Sequence, residues 1–261
     1  MTKWMAWFAA CAAAAVPAAF AGQYSDLWWN PQESGWGVNV VQQQETAFVT
    51  LFVYGPDQKP TWYVAPAARI IAYAASGPVF GGTLYRAEGP FHAGPFDPSK
   101  VRAIVVGQLS LEVLARDRMR VYYTADGLPE VVKEVVRQTW EQPFLAANYL
   151  GQFVLRQARP GELPYGTRIY GAEVLLHADP AEGAAFMRVD DHIGRRCEYR
   201  GTYAQHGKLG RFAGTFGCSS GEAGPGTFEL SDIEVSAHGI SGHLRTFSSV
   251  NESGRFAAVL R

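Results

Sequence analysis

The chain has 261 residues, 48% hydrophobic, 13% aromatic and only 18% charged, with a formal net charge of −1. So much aromatic surface excludes a disordered chain, and no triplet or heptad period supports a collagen-like or coiled-coil rod. The near-neutral balance, with no basic stripe interleaved with aromatics, gives no support for nucleic-acid binding.

The first segment in chain order is a targeting signal by its composition. Lys3 precedes an uncharged, alanine-rich run from Trp4 to Ala21 that closes in Ala19-Phe20-Ala21. A positive start, an apolar middle and a small-residue exit make a secretory signal peptide over 1–21, cleaved before Gly22. Two alternatives are a retained N-terminal membrane anchor and a lipoprotein attached through Cys11, since Phe8-Ala9-Ala10-Cys11 loosely resembles a lipidation box. Pro17 and the small-residue exit favour cleavage. No later run reaches the ~18 apolar residues of a membrane-spanning helix, so residues 22–261 read as a periplasmic or secreted protein without a span.

Helix signals are nearly absent beyond this point. Short β-rich runs alternate with Gly, Pro or Asp turns, predicting strands near 36–43, 47–54, 60–66, 79–87, 101–113, 119–125 and 130–139. Val101, Ala103, Val105, Leu109, Leu111 and Val113 alternate with polar residues, the period of one half-buried strand. A second set is predicted near 149–156, 168–176, 184–189, 196–205, 210–218, 226–235, 239–247 and 254–260. The segment 141–148 is the natural junction. The chain therefore divides into an N-terminal β domain (22–142) and a C-terminal β domain (143–261). Both are all-β antiparallel meanders, either up-and-down barrels or small sandwiches.

One hairpin can be read to the residue. After loss of Cys11, Cys197 and Cys218 are the remaining cysteines, and an even pair in an exported chain predicts a disulfide. A two-residue type II′ turn with Gly207 first and Lys208 second pairs His206 with Leu209. The same register pairs Tyr203 with Phe212, Gly201 with Gly214, Tyr199 with Phe216 and Cys197 with Cys218. A one-residue slip would spoil turn, alternation and cysteine pairing together.

Chemistry-bearing residues concentrate near the start of the exported chain. Trp28, Trp29, Trp36 and Trp62 offer flat apolar plates with one donor each, suited to stacking a sugar or ring. Asn30, Glu33, Ser34 and Asn39 are the polar groups that could orient a ligand among them. The competing structural reading makes this segment an aromatic plug, with Asn30 and Glu33 bonding turn amides. Glu33 buried among tryptophans would gain a raised pKa and could act as a general acid, with Asp26 the nearest second carboxylate for a glycan hydrolase.

Other motifs point to ordinary structure. Gly217-Cys218-Ser219-Ser220-Gly221 matches a nucleophile-elbow pattern, but no helix can follow it. Asp190-Asp191-His192 reads as an acidic–basic loop before Arg195 and Arg196. No metal-ligand spacing and no phosphate or dinucleotide glycine pattern occurs, so no metal or cofactor is expected.

WWNPQESGWGVN, followed by AFVTLFVYGPDQKPTWYV, FGGTLYRAEGP and VRQTW, resembles a β module found in many exported bacterial proteins. Residues 143–261 resemble its companion region in similar proteins. The resemblance implies secretion and a β fold, and brings no reaction, cofactor or catalytic residue. The reading is an exported, non-enzymatic binding or interaction protein that holds a small apolar or glycan-like ligand on the tryptophan-rich segment. A secreted hydrolase using Glu33, and an envelope assembly factor that binds a protein partner, are the alternatives.

Overall fold

A computed structural model describes residues 23–143, 145–179, 183–220 and 224–261. The expected signal peptide and Cys11 lie outside the described residues. The rest forms two closed antiparallel barrels in tandem, each of eight strands in sequential order.

The first barrel comprises β1 (Asp26–Trp29), β2 (Gly37–Gln43), β3 (Thr46–Tyr54), β4 (Pro60–Ala74), β5 (Gly77–Glu88), β6 (Arg102–Ala115), β7 (Arg118–Tyr123) and β8 (Val131–Arg137). The second comprises β9 (Leu145–Ala158), β10 (Gly166–Ala178), β11 (Ala184–Asp191), β12 (Arg196–His206), β13 (Leu209–Cys218), β14 (Gly226–Ser236), β15 (Gly239–Phe247) and β16 (Asn251–Leu260). Closure removes the exposed edges that so many aromatic strands would otherwise present. Each barrel is filled by its own apolar cluster, Val38, Leu51, Leu84 and Leu111 among the residues of the first and Phe153, Leu155, Phe212 and Leu244 among those of the second.

Three differences from the sequence reading have local causes. β1 was not expected as a strand: it is only four residues long and lies within the tryptophan segment. β4 runs on to Ala74 instead of stopping near 66, passing two register shifts against β5, between Val64 and Arg69 and between Ile70 and Ala72. In β6 the alternation breaks. Pairing steps from Gly107–Leu84 to Val105–Tyr85, leaving Val106 as the extra residue of a bulge. Leu109, Leu111 and Val113 therefore point inward, while Val101 and Val105 are exposed and Val106 packs against the core in their place.

The β12–β13 hairpin has the register expected of it, from His206–Leu209 through Tyr203–Phe212, Gly201–Gly214 and Tyr199–Phe216 to Cys197–Cys218. The cysteines are disulfide-bonded, with Cα atoms 4.0 Å apart, a spacing of the narrow, non-hydrogen-bonded kind. Gly201 and Gly214 have no room for side chains. A Cβ on either would lie about 2 Å from a neighbouring carbonyl oxygen, Ala213 O at 1.9 Å and Arg200 O at 2.0 Å.

The tip of this hairpin docks into one end of the first barrel. Inside that end, Asp26 of β1 and Arg137 of β8 form a buried ion pair at 2.8 Å, with side-chain exposures of 10% and 2%. The Arg137 guanidinium lies 4.6 Å over the Trp28 ring and donates to Arg116 O and Gln23 O. Burial pulls its pKa downward, and Asp26 opposes that shift. The turn completes the arrangement: Lys208 N donates to Asp26 Oδ2 at 3.1 Å and Gly207 N to Thr139 Oγ1 at 2.9 Å. Gly207 is held at φ +60°, as the first position of a type II′ turn requires, and a Cβ there would stand 2.2 Å from Asp26 Oδ2.

Two stability measurements follow. Replacing both cysteines by alanine should lower unfolding free energy by roughly 3 kcal/mol, from loop-closure entropy over the 21-residue separation; an unchanged urea midpoint would contradict that. Gly207→Val should cost about 2 kcal/mol or more, because the left-handed backbone and the Asp26 contact both resist a side chain. Lys208→Val, one position along, should cost much less in the same titration.

Candidate functional site

The β1–β2 loop and the outer wall of β2–β4 carry most of the residues singled out by sequence. In the loop, Asn30 makes a local turn: its Oδ1 accepts from Gln32 N at 2.8 Å and its carbonyl from Glu33 N at 3.0 Å. Glu33 then reaches across to β8. Its Oε1 accepts from Lys133 Nζ at 2.8 Å and its Oε2 from the Trp36 indole at 3.1 Å. Trp36 is half-buried and packs against the first core.

This geometry reverses the pKa expected for Glu33. The hydrogen bond from Lys133 is the largest influence and holds the carboxyl below its usual range, with the Trp36 donor acting the same way. A carboxylate kept ionised is poorly suited to donate a proton. Asp26, the suggested second carboxylate, is locked to Arg137 at the opposite end of the barrel, so it cannot partner Glu33.

Strand alternation separates the tryptophans. Trp28 points inward, is fully buried, and donates its indole N–H to Tyr24 O at 3.1 Å. It is a core residue. Trp29, its neighbour, takes the outer face opposite Val136 and is half-buried. Asn39 is half-buried on β2 between Leu27 and Thr50. Trp62 is outward on β4 and 50% exposed, directly opposite Phe52.

Around Trp62 the barrel exterior is unusually apolar. Phe48, Phe52 and Tyr54 share the outer face of β3, with Thr50 between the first two, each aromatic more than 40% exposed, and Val41 of β2 pairs with Phe48. A shallow depression of about 360 Å³ lies among Gly35, Phe52, Tyr54, Pro60, Thr61 and Trp62. Gly35, at φ +121°, leaves the Tyr54 ring uncovered where a side chain would otherwise sit against it. The structure thus joins Gly35 to Trp62, and Glu33 to Trp36, but it leaves Trp28 inside the wall. Phe48, Phe52 and Tyr54 were missed by the sequence reading. Their signal was present, since TAFVTLFVY is apolar on both faces of its alternation, whereas an ordinary barrel strand is apolar on one.

Asp190 and Asp191, expected in an acidic–basic loop, are instead the last two residues of β11, and both are paired. Asp190 pairs with Arg188 and Arg196, and Asp191 with Arg168 at 2.8 Å. Cys218 of the nucleophile-elbow match ends β13 in its disulfide, Ser219 Oγ accepts from Arg196 N at 3.0 Å, and Gly221 lies outside the described residues. No protein-family model and no curated protein matches this chain.

The Glu33 contacts have a pH consequence. A carboxyl whose folded pKa is depressed adds stability above the unfolded value of about 4.3 and loses it as pH falls through the folded value. Glu33→Gln should therefore lower the urea midpoint at pH 6 and have little effect at pH 2.5. Equal shifts at both pH values would show that the Lys133 contact is immaterial.

Proposed function

We propose that this is an exported binding protein that holds a small apolar or glycan-like ligand against the outer wall of its first barrel. The observation that carries the reading is the exposed run Phe48, Phe52, Tyr54 and Trp62 beside the Gly35 depression. Contiguous aromatic surface of this kind on a closed barrel is costly to leave in water and marks an interaction site. Flat rings suit the apolar face of a sugar or a planar ligand. Thr50, Thr61 and Asn39 border the aromatics and supply hydroxyl and amide groups for orientation. Trp36 and Glu33 brace the adjoining loop.

Export is supported by the signal-like segment 1–21 and by the disulfide, which persists in an oxidising compartment. The depressed pKa of Glu33 favours binding over the hydrolase alternative.

Intrinsic fluorescence tests the site. Titration with N-acetylglucosamine tetrasaccharide, maltotetraose and palmitate should shift or quench emission for at least one of them. Trp62→Ala should weaken that response about tenfold or more, equivalent to ~1.4 kcal/mol, and Phe52→Ala should weaken it similarly. Binding unaltered by both substitutions, or no response to any probe, would refute the proposal.

A further inference from the structure

A cleft separate from the aromatic wall lies between the barrels. The cleft has a volume of about 320 Å³ and is walled by Tyr24, Tyr73 and Ser76 of the first barrel and by His243, Arg245 and Arg255 of the second. It is crossed by an ion pair between Arg116, in the β6–β7 turn, and Asp232 of β14. A second hollow, lined by His206, Leu209 and Arg211, lies on the far side of the same bridge.

Asp232 reaches this position through a local irregularity. The β14–β15 register shifts between Ser231 and Glu234, and Asp232 adopts φ +51° within that bulge. Bulges re-aim side chains beside functional sites, and here the bulge turns a carboxylate toward the neighbouring barrel.

The charges do not balance. Three guanidinium groups, Arg116, Arg245 and Arg255, face one carboxylate, and that carboxylate is engaged by Arg116. Among the described residues, the guanidinium groups of Arg245 and Arg255 have no hydrogen-bond or ion-pair partner, unlike that of Arg211, which pairs with Glu229 at 2.8 Å on the same barrel. His243 sits opposite Arg255 in the sheet. Its pKa is pushed down, first by burial and then by Arg255, as expected where the local field is positive.

We propose that this inter-barrel cleft binds a small phosphate monoester, with Arg245 and Arg255 holding the phosphoryl oxygens and Tyr73 and Ser76 contacting the organic portion. The excess of two positive charges complements a dianion, and guanidinium groups match phosphate oxygens in geometry. The volume admits a phosphate bearing one ring. Tyr73 is 58% exposed and presents its ring to that space.

Calorimetric titration of the full chain with phenyl phosphate, inorganic phosphate and phosphatidic-acid vesicles tests the assignment. Phenyl phosphate should bind, more weakly as sodium chloride is raised. Arg245→Gln and Arg255→Gln, both at exposed positions, should each weaken binding at least tenfold, while Arg211→Gln should leave it unchanged. Tyr73→Ala should weaken phenyl phosphate but not inorganic phosphate. Absence of binding, wild-type affinity in the Arg245 and Arg255 variants, or binding to vesicles alone would overturn the proposal. Trp62→Ala should leave this titration unaltered, which separates the cleft from the aromatic wall.

Discussion

The first barrel closes through its weakest seam. β1 meets β8 in only two residue pairs, Trp28–Arg137 and Trp29–Val136, extended by one backbone bond from Gln138 N to Leu27 O at 2.8 Å. What reinforces the seam is the buried Asp26–Arg137 pair. Two charges removed from water are stable only when their remaining hydrogen-bonding capacity is met. Here the Arg137 guanidinium also uses two backbone carbonyls and the Trp28 face, while Asp26 accepts from the Lys208 amide of the other barrel. Barrel closure and barrel docking therefore share one network, centred on Asp26.

This network explains where the rest of the molecule is placed. Docking by the hairpin tip sets the β13–β16 side of the second barrel against the first, and the Arg116–Asp232 bridge and the cationic cleft follow from that apposition. The opposite end of the first barrel, with the Glu33 loop, stays clear of it. The aromatic wall and the cleft consequently occupy separate surfaces with different chemistries, one apolar and one positively charged.

Much of the fold was legible because β structure states itself locally. In β12–β13, turn type, alternation and two cysteines agree on one register. The unread parts each depend on partners distant in sequence. Asp26 and Arg137 are polar residues on inward positions, separated by 111 residues, and no periodicity joins them. Gly207 was legible as a turn residue, but its second requirement, room for Asp26, exists only after docking. The candidate site was partly legible for the same reason. Trp28 and Trp29 are indistinguishable by composition, yet adjacent strand positions face opposite ways, and the missing strand β1 concealed which of them was inside. The cleft was illegible altogether, since its arginines belong to different barrels.

The short connection after Arg137 gives the hairpin tip a further advantage. With β9 starting at Leu145, the second barrel is tethered a few residues from the seam it covers. A short tether holds its ends at an effective concentration in the millimolar range, so the contact between barrels need not have the affinity of an independent complex. Trp140 lies 75% exposed in that connection. The polar contacts of the turn can thus remain few and still be occupied nearly all the time, which lets a handful of hydrogen bonds set the geometry of a charged cleft.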